Sequence, residues 1–74
     1  MSSDLHLISE SGPLHIELSS SLVPDEALLT CIEAMRAGRV VEFEDSVAPG
    51  GVRRTTVVVN FARVSLAWVE DRIR

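Results

Sequence analysis

The sequence predicts an α+β domain of ββαβββ order, a mostly antiparallel five-stranded sheet with one helix packed on one face. Three observations carry that prediction. Leu5, Leu7, Leu14, Ile16 and Leu18 alternate with other residues on either side of the turn-forming Glu10-Ser11-Gly12-Pro13. The stretch from Pro24 to Gly38 repeats apolar residues at helical spacing, and the chain after Arg39 returns to alternation and β-branched runs. At 74 residues the chain makes one domain, 1–74.

The hairpin comes first. A four-residue loop over 10–13 sets position 9 opposite 14, and in that register the five apolar residues share one face. The same register sets Glu17 opposite His6, with His15 diagonal to it. Pro24 is tolerated in the first turn of a helix, and Asp25 and Glu26 complement the positive end of its dipole. Leu28, Cys31, Ile32 and Met35 then form a stripe for burial, while Glu26, Thr30, Glu33 and Arg36 or Ala37 face water. Gly38 stands where a left-handed C-cap falls, so the helix spans about 24–37.

Residues 39–45 (RVVEFED) form the third strand, with Val41 and Phe43 inward and Val40, Glu42 and Glu44 outward. Pro49-Gly50-Gly51 supplies a turn. The run RTTVVVNFARVSLAWV, 54–69, is too long for one strand, since strands usually span 3–10 residues. It breaks at Asn60-Phe61-Ala62-Arg63, where the asparagine side chain can bond the backbone ahead. Folded there as a hairpin, it sets 59 opposite 64. Thr55, Val57, Val59, Val64, Leu66 and Trp68 fall on the core face. The outer face is then half apolar, with Ile8, Val40, Val58, Ala67 and Val69 among its residues.

The net charge of −4 hides an asymmetry: residues 1–50 carry nine acids and two arginines, residues 51–74 five arginines and two acids. Acidic strands are therefore expected beside basic ones, within the fold or across a subunit boundary, with Glu42 and Glu44 near Arg54. The overall sign opposes general attraction to nucleic acid or anionic membranes. No charged segment precedes an apolar core at the N-terminus, and no apolar run approaches the roughly 18 residues of a membrane span. Cys31 stands alone, which excludes an internal disulfide and fits a reducing compartment, so the expectation is a soluble cytoplasmic protein without membrane association. Every cation is arginine, a bias that fits a GC-rich bacterial genome.

Few groupings invite chemistry. His6, His15 and Glu17 supply zinc-type donors, but the wet side of any half-exposed hairpin displays such a set. Metal binding is accordingly the third reading, and no metal or cofactor is assigned. Cys31 lies on the helix stripe with no adjoining cation to activate it, and no serine sits in a nucleophile-elbow motif. Pro49-Gly50-Gly51-Val52-Arg53-Arg54 lacks both the spacing of a phosphate loop and the helix that would follow one. Arg53, Arg54, Arg63, Arg72 and Arg74 support an alternative, an arginine-lined RNA or DNA binder. Against it stand only three aromatics and the lack of a second helix for a helix-turn-helix pair. Trp68 either plugs the core or anchors an interface.

The expected protein is not an enzyme. It is a small interaction module that self-associates as a dimer or ring and serves another protein as adaptor or accessory subunit. Val40, Val58, Ala67, Val69 and Trp68 are its expected interface, with Arg53, Arg54 and Arg63 available to an anionic partner.

Overall fold

A computed structural model describes residues 3–71. Its elements are β1 (Ser3–Ser9), β2 (Gly12–Glu17), α1 (Pro24–Ala37), β3 (Val40–Val47), β4 (Arg54–Asn60), a 3-10 turn (Phe61–Arg63) and β5 (Val64–Asp71). This is the predicted ββαβββ order, in one antiparallel sheet arranged β4-β3-β2-β1-β5.

The first hairpin is tighter than its turn residues suggested. Ser9 pairs with Gly12 across Glu10-Ser11. Gly12 accepts a φ of 106°, and the Ser9 hydroxyl accepts from the Ser11 amide and donates to the Gly12 carbonyl. The register therefore slips by two from the expected one. An even slip keeps every side chain on its face, so Leu5, Leu7, Ile16 and Leu18 are buried as predicted. It does change who faces whom: His6 is opposite His15, and Asp4 is opposite Glu17.

Helix α1 begins and ends where its signals stand. Gly38 adopts the left-handed conformation (φ 64°, ψ 41°), and its amide donates to the Ala34 carbonyl. The buried stripe is Ala27, Cys31 and Ala34, with Leu28 and Met35 half-buried and Ile32 exposed. These small residues let the helix approach closely, and it packs chiefly on β5 and the 3-10 turn. Strand β3 carries a bulge, since Phe43 pairs with Val57 but Ser46 with Thr55, leaving one extra residue. Asp45 absorbs it with a φ of 49°.

The largest correction concerns the second half. The chain breaks at Asn60 as expected, and the Asn60 Oδ1 accepts from the Ala62 amide at 3.1 Å. Yet β4 and β5 do not form a hairpin. They are the two opposite edges of the sheet. Edge strands of a flat five-stranded sheet lie roughly 19 Å apart, whereas the four steps from Asn60 to Val64 reach at most about 14 Å. The sheet must therefore curl until its edges converge at the 3-10 turn, in the manner of a partly closed barrel.

A second bulge resets the faces of β5. Val64 pairs with Ser9 and Leu66 with Ile8, so Ser65 is the extra residue, and its hydroxyl donates to the Ile8 carbonyl. Ala67 and Val69 consequently turn inward against the core, while Leu66 and Trp68 turn outward. The expected assignment of these four is thus reversed. Phe61 fills the space that Trp68 was expected to plug: it is buried, and its ring lies 6.3 Å from that of Phe43. The radius of gyration, 11.3 Å, equals the roughly 11 Å expected of a compact chain this long. The described residues of a single chain enclose one apolar core. No helix among the described residues is long and apolar enough to cross a membrane.

Candidate interaction surfaces

Three surfaces of the described residues could serve recognition. The first is the free edge of β4. Among the described residues its seven positions, RTTVVVN, pair only with β3, and no charge occurs between Arg54 and Asn60. Val57 and Val59 point inward, while Val58 is 59 % exposed and sits opposite Glu42. Val40 is exposed on the same face of this strand pair. Of the five expected interface residues, Val40, Val58 and Trp68 are exposed, whereas Ala67 and Val69 are turned into the core by the Ser65 bulge.

The second surface is the other edge of β3. Among the described residues β2 meets β3 only at Glu17 and Val47, so the remainder of β3 lacks a strand partner on that side. Helix α1 leans toward β5, and a groove of about 690 Å³ separates its outer flank from β3. Five successive residues, Val41 to Asp45, line this groove. Successive side chains of a strand point to opposite faces, so a groove that touches all five must run along the strand edge. Leu29 and Val41 contribute apolar surface, and Glu26, Glu33, Glu42, Glu44 and Asp45 surround it. No cation lines it.

The third surface is the outer face of the β2-β1-β5 meander, where three side chains of opposed residues stack. Trp68 lies on His6 with ring centroids 5.0 Å apart and an interplanar angle of 11°. His6 lies in turn on His15, again at 5.0 Å, with an angle of 23°. One register step away stand carboxylates. His15 Nε2 is 3.1 Å from Asp4 Oδ1, and His6 Nε2 is 3.4 Å from Glu70 Oε2. Glu70 also accepts from the Trp68 indole N–H at 3.3 Å. Asp4, His6 and His15 each offer a ligand atom within 4.8 Å of the other two.

Glu17, the carboxylate expected to join the two histidines, is engaged elsewhere. Arg54 donates to its Oε2 at 2.7 Å and to the Asp45 carbonyl at 2.9 Å. Arg63 donates to Glu10 at 2.7 Å. The charge asymmetry of the chain is thus partly met by ion pairs inside the fold, and of the three arginines expected to serve an anionic partner only Arg53 makes no ion pair among the described residues. Arg72 and Arg74 lie outside the described residues. Cys31 is fully buried, and burial pushes its thiol up to about 11 from the ordinary 9.0. That is the opposite of what a nucleophilic thiolate needs.

Asp4 and Glu70 went unnoticed in the sequence. The signal for Asp4 was present, since it stands two residues before His6 and shares its face. Glu70 had none, because its position depends on which strand β5 pairs with. Comparison with protein-family models, with curated proteins and with solved structures finds no match.

Proposed function

We propose that this chain is a non-catalytic protein-interaction module, which self-associates through the β4 edge and receives a cationic segment of another protein along the β3 edge. The supporting observation is the contrast between the two edges. Edge strands left long, apolar and uncharged pair readily with their like, whereas charges on an edge discourage it. The β4 edge is of the first kind. The β3 edge is of the second, for a second copy laid along it would bring Glu42 and Glu44 against carboxylates of the same groove. An acidic groove with an open backbone edge suits β-augmentation by a basic extended segment, in which main-chain bonds supply affinity and alternate side chains specificity. As an adaptor or accessory subunit with one buried free thiol, the protein belongs in the cytoplasm.

Paired substitutions on β4 test the self-association. Val58→Lys removes a side chain already 59 % exposed, a loss below about 1 kcal/mol for the monomer. The new ammonium also gains Glu42 across the strand pair. In an edge-to-edge dimer it would meet its symmetry mate, so the variant should be folded and monomeric by light scattering. Val57→Lys places an ammonium where the side chain is 8 % exposed, at an effective cost of several kcal/mol. It should unfold the chain. A wild-type protein that stays monomeric and folded at micromolar concentration would remove the self-association reading.

The nucleic-acid alternative draws less support, because Arg54 and Arg63 are held by Glu17 and Glu10. Retention on heparin that falls steeply with salt would restore it.

A further inference from the structure

We infer that Asp4, His6 and His15 form a binding site for a divalent transition-metal ion of the zinc type on the outer face of the β2-β1-β5 meander. The site is distinct from the two strand edges and does not depend on them.

Two imidazoles and a carboxylate are nitrogen and oxygen donors that zinc, cobalt and nickel take, and with three such ligands a tetrahedral ion keeps its fourth position for water. The three residues occupy two adjacent strands, with His6 opposite His15 and Asp4 one register step away on the same face. A rigid sheet therefore holds the donors rather than a loop. Ligand atoms about 2.0–2.1 Å from a tetrahedral ion stand roughly 3.3 Å from one another. The Asp4–His15 separation, 3.1 Å, already matches that spacing, and the ligand atoms of all three residues lie within 4.8 Å of one another.

The buried nitrogen of His6 is the observation that points to a ligand. His6 Nε2 is shut off from solvent and makes no aligned hydrogen bond, although Glu70 lies within ion-pair distance of it. A buried polar atom left in that state costs free energy, and such an atom in a native fold calls for an occupant. A metal ion held by the two histidines and Asp4 would satisfy it. Glu70, which accepts from the Trp68 indole N–H, stands beside His6 as an outer partner.

One feature of the free geometry must change on binding. An imidazole donates in the plane of its ring, and the near-parallel rings of His6 and His15 cannot both aim at one ion. His15 is the more exposed of the two, 47 % against 26 % for the side chains, so it is the ring that tilts. Binding thus unstacks His15 from His6 and disturbs the ring beneath Trp68.

Trp68 is the only tryptophan, so its fluorescence reports on this cluster alone. Zinc titrated into the full chain at neutral pH should change Trp68 emission saturably with one ion per chain. Cobalt should give the visible absorption of a tetrahedral complex. His15→Ala and Asp4→Asn should each weaken zinc binding by at least about tenfold, whereas Glu17→Gln should leave it unchanged. The histidine is exposed enough that its loss spares the fold, and circular dichroism of each variant checks this. Zinc that leaves emission and calorimetric heat unchanged at 100 µM or so would overturn the site, as would unaltered affinity in folded His15→Ala or an equal loss in Glu17→Gln.

Discussion

Cys31 gives the sharpest test of the packing. Its thiol is shut off from solvent and titrates near 11, against 9.0 when exposed, because burial penalises the thiolate. A group whose pKa is raised by folding stabilises the native state fully below its unfolded pKa, and that stabilisation is lost as pH rises through the folded value. Stability should therefore fall between pH 9 and 11. Two pH units correspond to roughly 2–3 kcal/mol, a large share of the 4–11 kcal/mol or so expected of 74 residues. The window is unusually clean. The chain has no lysine and no tyrosine, the other side chains that ordinarily titrate in this range. Urea unfolding at pH 8, 9, 10 and 11 should show the midpoint dropping by about 2 M across the series, at an m-value near 1 kcal/mol/M. Cys31→Ala should lower the whole series yet flatten it. A slope that persists in Cys31→Ala, or a flat wild type, would refute the burial of this thiol.

Other perturbations separate the remaining parts of the fold. Phe61→Ala empties the space between the 3-10 turn and α1 and should cost about 3–5 kcal/mol in urea unfolding, enough to leave much of the chain unfolded at 37 °C. Gly38→Ala keeps ordinary van der Waals distance to Ala62, so its cost of about 1 kcal/mol should come from the left-handed backbone alone, and Gly38→Asn should recover part of it. A double-mutant cycle on Arg54 and Glu17 should give a coupling of about 0.2–1 kcal/mol, shrinking in 1 M salt as expected of a half-exposed pair.

Local signals in the sequence were sufficient wherever a structure depends on its neighbours in the chain. Pro24, the paired acids after it and Gly38 delimit α1 correctly, and Asn60 marks the break after β4. Alternation in the first hairpin assigned its faces correctly even though the turn was two residues shorter than expected, because an even slip preserves parity. Errors entered where one residue changes parity or where a strand chooses between distant partners. The bulges at Asp45 and Ser65 each insert one residue with no signature in composition. The pairing of β5 with β1 joins residues more than fifty positions apart, and local pattern cannot distinguish it from a hairpin with β4. The same pairing decides the candidate sites: His6 and His15 were visible as a pair, but Glu70 and Trp68 reach them only because β5 crosses to the far edge.

The curl of the sheet connects these surfaces. A flat sheet with β4 beside β5 would cover both strands and leave Trp68 in the core. Bringing the chain around through Phe61 instead moves β5 onto β1, which stacks Trp68 on His6 and puts Glu70 beside Asp4. It also leaves β4 with one strand partner among the described residues and β3 with little more, since β2 meets β3 only at Glu17 and Val47. Phe61 is then the residue on which all three depend, for it fills the centre that an inward Trp68 would otherwise occupy. Phe61→Leu, which keeps an apolar side chain there at a smaller loss of volume, should preserve the curl, the Trp68–His6 stack and the emission of Trp68. Phe61→Ala should lose the near-ultraviolet signal of that stack together with its stability. A Phe61→Ala protein that unfolds earlier but keeps the Trp68 spectrum up to its transition would show that the stack stands without the turn that brings β5 to β1.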